Sequence, residues 1–166
     1  MSEITYFEHT LNERIRTFLR IEHLCTKMAY IRAQSHYWAT RAAIESLLDV
    51  VAITARSDIK NELLRELERS QAKLRQFRSP RSQAQVDVVM LDQIIAQLQT
   101  AAKDLLAMDG QIAALARDDD FLKAIAQRNS IPGGACSFDL PHYHYFLLQD
   151  PATHTELLER WSADIA

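Results

Sequence analysis

Apolar residues recur along most of this chain at helical intervals. Leu11, Ile15, Phe18, Cys25 and Met28 are spaced by three, four or seven positions, which puts them on one face of a helix. Thr10 with Glu13 three residues later reads as a capping box opening that helix. A second helix is expected from near Ser35 to about Ala55, with Trp38, Ile44, Leu48 and Val51 as its apolar face and His36 and Tyr37 at its edge. A third runs from Ser57 or Asp58 to Phe77, with Ile59, Leu63, Leu67, Leu74 and Phe77 in register. A polar break around Pro80 leads to a fourth from about Val86 to Met108, striped by Leu91, Ile94, Leu98, Leu105 and Met108.

After Gly110 the rhythm shortens. Ile112 to Ala116 is a brief apolar piece, and Asp118 to Asp120 cap a helix over Phe121 to Arg128. Asp139 reads as the cap of a short helix with Pro141 in its first turn. Beyond Asp150 and Pro151, the stretch from Ala152 to Ile165 begins another, with Leu157, Leu158 and Trp161 apolar. Consecutive long helices with short links favour a mainly α fold, an antiparallel helical bundle over residues 10–129. Ile4 to Glu8 mixes β-branched and aromatic residues and reads as a short N-terminal strand, which needs partners.

Composition supports the helices. Three glycines and four prolines in 166 residues are few, while 48% hydrophobic residues suffice for a core. The net charge of −3 is unevenly spread. Arg56 to Arg81 carries eight basic and four acidic residues, whereas Asp104 onwards carries four basic and ten acidic. The third helix alternates charge on its outer face (Lys60, Glu62, Arg65, Glu66, Glu68, Arg69, Lys73), as a solvated or partner-binding surface does. With no aromatic residues interleaved among the basic ones, nucleic acid is not the expected partner. Cys25 and Cys136 stand far apart and read as reduced thiols. No secretory signal is visible, and no apolar run approaches the roughly 20 residues of a membrane span. The expectation is a cytoplasmic protein without membrane insertion.

Two of the three glycines, Gly133 and Gly134, sit side by side after Ile131 and Pro132, so the backbone must turn there. His142 and His144 would share a face in a strand and could bind zinc, but they diverge in the helix expected at that point. Cys136 with one of these histidines could form a thiol nucleophile, although small residues around it also suit a tight turn. Asp118 to Asp120 serve as a cap more readily than as a metal site. No phosphate loop or dinucleotide fingerprint is present. No cofactor is expected, and the residues alone describe a helical interaction module.

Two longer motifs go further. Phe7-Glu8-His9, Leu11-Asn12-Glu13-Arg14, Arg16-Thr17 and Leu19-Arg20-Ile21-Glu22 resemble the opening of the ZapD family of bacterial cell-division proteins. Ser130-Ile131-Pro132-Gly133-Gly134 with Cys136-Ser137-Phe138-Asp139-Leu140-Pro141 resembles its second signature. Ser46-Leu47-Leu48-Asp49 and the run from Glu62 to Gln71 fall in order between them. The resemblance implies a non-enzymatic protein without cofactor, with a helical domain and a β-rich domain. It also implies a homodimer formed through the helical part, binding to the C-terminal tail of FtsZ, and filament bundling at the mid-cell division ring. Residues 1–9 and 130–166 are then expected to link to, or belong to, an incomplete β-rich domain, since family members continue well past the equivalent of Trp161. The tail-binding candidates carried over on the motifs are Arg14, Arg16, Arg20 and Arg128, with Arg117 beside the acidic run. Ile131, Pro132, Gly133 and Gly134 form the structural turn. The rival readings are a small thiol or metal hydrolase using Cys136, His142 and His144, and a helical adaptor for another partner.

Overall fold

The computed structural model describes residues 9, 10, 12–34, 36–56, 58–78 and 87–165. Among these it is mainly α, with eight helices and no strand: α1 (Glu13–Arg32), α2 (Tyr37–Thr54), α3 (Ile59–Gln76), α4 (Val88–Ala107), α5 (Ala114–Asp118), α6 (Asp120–Asn129), α7 (Pro141–Leu147) and α8 (Pro151–Ser162). The strand expected over Ile4 to Glu8 lies outside the described residues. The chain divides into two compact units, one comprising residues 1–56 and 113–166 and the other residues 57–112. The boundary expected at residue 129 falls inside the first unit, between α6 and the turn leading to α7.

In the first unit, α1 and α2 pack as a hairpin, and α5, α7 and α8 close against α2. Ala43, Ile44 and Leu47 of α2 lie at the centre with no exposure. Around them are Met28 of α1, Leu122 and Ile125 of α6, Tyr143, Phe146 and Leu147 of α7, and Leu158 and Trp161 of α8. Burying each large side chain contributes about 1.5–3 kcal/mol. Phe121 stacks on Trp161 with centroids 5.9 Å apart and meets Phe146 edge-on at 5.4 Å. Two polar ties cross this core. Asp119 caps α6 by accepting from Leu122 N at 3.1 Å, and its other oxygen accepts from the Trp161 indole at 2.9 Å. His154, buried on α8, has Nε2 2.7 Å from the Phe146 carbonyl and Nδ1 3.2 Å from Thr40 Oγ1. Both ring nitrogens are thereby within hydrogen-bond reach of a partner.

The second unit is the α3–α4 hairpin. Leu91 and Ile95 are the buried residues of α4, facing a half-buried row on α3 that includes Leu63, Leu67 and Leu74. Gln71, buried between the helices, donates from Nε2 to the Leu98 carbonyl at 3.4 Å. Lys60 Nζ donates to the carbonyls of Met108 and Gly110, satisfying acceptors that the end of α4 leaves open.

Five expectations are corrected in detail. Asn12, not Thr10, caps α1 by accepting from Ile15 N at 2.9 Å, and Thr10 accepts instead from Arg16 Nε. Trp38 is 67% exposed, because it stands six residues, or about 240°, from Ile44 on the helix. Ile95 rather than Ile94 joins the α4 seam. Leu140 takes the N-cap position of α7 with no side-chain bond, and Asp139 lies 4.0 Å from Arg128. Phe77, expected on the α3 stripe, is half exposed just past the helix end.

Candidate functional site

On α1, Arg16 and Arg20 are four residues apart and His23 follows three later, so all three share one side with Leu19 and Leu24 close by. Asp49, Ala52 and Ile53 of α2 and Arg56, two residues past its end, follow a 0, 3, 4, 7 spacing. Packing α1 on α2 brings these faces together as the walls of a groove of about 480 Å³, which Thr10 also lines. Arg16 is held by Glu13 and by Thr10 Oγ1 at 3.2 Å. Arg20 and Arg56 form no ion pair among the described residues. Two uncommitted guanidinium groups over an apolar floor suit an anionic ligand that also carries apolar side chains.

A second depression of about 580 Å³ adjoins the first, and Asp49 and Ala52 line both. Its far wall is the turn over residues 130–135. Pro132 occupies the second position of a type II turn, Gly133 takes φ +74° at the third, and Gly134 N donates to the Ile131 carbonyl at 2.8 Å. A Cβ on Gly134 would overlap the Arg128 carbonyl oxygen and stand 2.9 Å from Ile131 Cβ, so the turn is pressed onto the end of α6. Arg41 ties it to α2, donating to the Ala135 carbonyl at 3.1 Å and to Glu45 at 3.2 Å. Its guanidinium lies 5.8 Å from the ring centroids of both Trp38 and Tyr143. Burial raises the Tyr143 phenol well above the ordinary tyrosine range, and its hydroxyl has no hydrogen-bond partner among the described residues.

The structure therefore brings together two of the five arginines singled out in the sequence, Arg16 and Arg20, and adds Arg56. Arg14 is two residues from Arg16, about 200° round α1, and does not line the groove. Arg117 is paired with Asp118 at 3.4 Å on α5, and Arg128 reaches Asp139; neither side chain lines either depression. Cys136 rests its sulfur on the Gly133 carbonyl, His144 Nδ1 is 3.5 Å from the Tyr37 hydroxyl, and His142 is exposed. No hydrogen bond joins the thiol to either histidine among the described residues. Nor do three or more His, Cys, Asp or Glu residues converge there in a metal-binding group. Burial pushes the Cys25 thiol up, as befits a small packing residue on α1.

The family model for ZapD, described as a cell division protein, matches residues 19–166. The chain belongs to the ZapD family. It is 37% identical over 158 residues to the cell division protein ZapD of Dechloromonas aromatica, covering 95% of this chain and 61% of that one. Against ZapD of Nitrosomonas europaea the identity is 38% over 155 residues, covering 93% of this chain and 58% of the relative. Against that of Aromatoleum aromaticum it is 39% over 155 residues, covering 93% and 59%. The chain thus spans about three-fifths of the length of these ZapD relatives. Arg20, Arg56 and the turn at 131–134 all fall inside the family match. No described helix is long and apolar enough to cross a membrane.

Proposed function

We propose that this chain is the helical part of a non-enzymatic cell-division accessory protein that binds the C-terminal tail of FtsZ and, as a homodimer, crosslinks FtsZ filaments at the mid-cell ring in the cytoplasm. The observation that carries this is the α1–α2 groove, where Arg16, Arg20 and Arg56 surround an apolar floor and the last two are uncommitted. A short peptide tail with acidic and apolar side chains is the ligand such a groove fits. Family membership supplies the division context, and the part of the relatives' length that this chain does not span leaves room for the β-rich domain that the resemblance implies. Two tail sites on one dimer bundle filaments because the second contact forms at high effective concentration. The test is co-sedimentation of the chain with GTP-assembled FtsZ, at low and high salt, beside FtsZ lacking its C-terminal tail. The proposal expects pelleting that needs the tail and weakens with salt, as exposed charge contacts are screened. Pelleting that persists without the tail, or none at low salt, overturns it.

A further inference from the structure

The two adjoining depressions share Asp49 and Ala52 but differ in charge. The α1 depression is lined by Arg16, Arg20 and Arg56, and Asp49 stands at the boundary that it shares with the second. At the turn end the balance is reversed. The Asp49 carboxylate forms no ion pair among the described residues, and Glu45 is 46% exposed even while it accepts from Arg41. Ala126 and Asn129, from the last turn of α6, line the same wall, which places the negative end of that helix's dipole there. Arg41 offsets only Glu45, to which it donates, and is otherwise held by the Ala135 carbonyl, so Asp49 and the end of α6 carry the remaining negative charge.

We propose that the two depressions, which share Asp49 and Ala52 as lining residues, together take one extended peptide of mixed charge. Acidic side chains lie at the α1 end beside Arg20 and Arg56, apolar ones cover Leu19 and Ile53, and a lysine or arginine lies at the turn end beside Asp49. The inference rests on the reading above that the groove receives a partner's peptide, and it adds that peptide's charge order. Asp49 is the specificity element. A ligand acidic along its whole length would bring a like charge against it, so the same residue attracts the mixed ligand and rejects the purely acidic one.

Fluorescence anisotropy on the full 166-residue chain tests this. The probes are synthetic peptides with one apolar centre, bearing either aspartates at one end and lysines at the other, in both orders, or aspartates at both ends. One order of the mixed peptide is expected to bind about fivefold more tightly than the all-acidic one at low salt, the scale of an exposed charge pair. Asp49→Lys should reverse that ranking, and Arg20→Gln should weaken both peptides. Asp49 is exposed, so an unchanged circular dichroism spectrum accompanies these variants. An all-acidic peptide that binds as well as the mixed one, a ranking unmoved by Asp49→Lys, or no binding of either peptide overturns the proposal. FtsZ co-sedimentation of the same variants separates it from the reading it rests on. The expected peptide ranking without tail-dependent pelleting keeps the two depressions as a peptide site and removes FtsZ as its occupant. Tail-dependent pelleting unaffected by Asp49→Lys keeps FtsZ and removes the charge order.

Discussion

At the scale of single residues, Gly133 and Gly134 are adjacent but are required for different reasons. Gly133 has φ +74° with open space where a Cβ would go, so its constraint is purely conformational. Gly134 has no such φ, yet a Cβ there would overlap backbone. Gly133→Ala should therefore cost about 1 kcal/mol, the penalty for an L-residue in the left-handed region. Gly134→Ala should cost more, about 3 kcal/mol, because a backbone carbonyl cannot move aside as a side chain can. Urea midpoints at constant m-value check the order of the two, and equal losses would contradict the geometry. Asp119 makes a second residue-scale case. It caps α6 and also accepts from the Trp161 indole. Asp119→Ala should lose about 1 kcal/mol of capping and about 1–3 kcal/mol for the stranded buried N–H, or roughly 2–4 kcal/mol together. Trp161→Phe removes the donor, so a double-mutant cycle should show strong coupling. Additive losses would mean that the indole bond contributes nothing.

Elements were the most legible level. The 3.6-residue period placed all four long helices, since each must bury one stripe. Asp58, Asp119 and Asp150 cap where acidic residues precede apolar runs. Where the reading failed, two local choices were chemically equivalent in the sequence. Thr10 and Asn12 both stand before an apolar run, and only the path of the chain shows that Asn12 receives the helix N–H. Ile94 and Ile95 lie three and four residues after Leu91, and periodicity does not separate those intervals. Asp139 looked like a cap, but the Cys136 carbonyl takes the N–H groups of Asp139 and Leu140 and so delays the start of α7. Half of the groove was equally opaque. Arg16 and Arg20 were visible by motif, whereas Arg56 and Asp49 acquire meaning only once α2 lies against α1. The Asp150 cap yields a pH prediction. Hydrogen bonds from the backbone N–H and side chain of Thr153 hold its carboxyl below the usual value of 3.8. A depressed carboxyl contributes stability above its unfolded value and loses it as pH falls through the folded one. Thermal melts should therefore show an acid-side loss below about pH 3.8 that Asp150→Asn makes shallower. An unchanged acid limb in that variant would place the acid sensitivity elsewhere.

For the whole molecule, binding a filament and bundling filaments are separable quantities. Tail binding is assigned to the groove, where charge reversal of Arg20 and Arg56 leaves every buried core residue in place. Arg20→Glu with Arg56→Glu should abolish tail-dependent pelleting while leaving the helix content and oligomeric state unchanged. The loss should exceed that from Arg14→Glu with Arg117→Glu, because neither of those side chains lines the groove. Bundling further requires two grooves on one particle. Diluting the chain below its dimer dissociation constant should then leave it bound to filaments in the pellet while light scattering from bundles falls, since avidity disappears once the two sites are no longer joined. The double charge reversal and the dilution thus have opposite signatures: one removes binding with dimers intact, the other removes bundling with binding intact. If scattering and pelleting fall together in both experiments, crosslinking does not come from a dimer with one groove per chain.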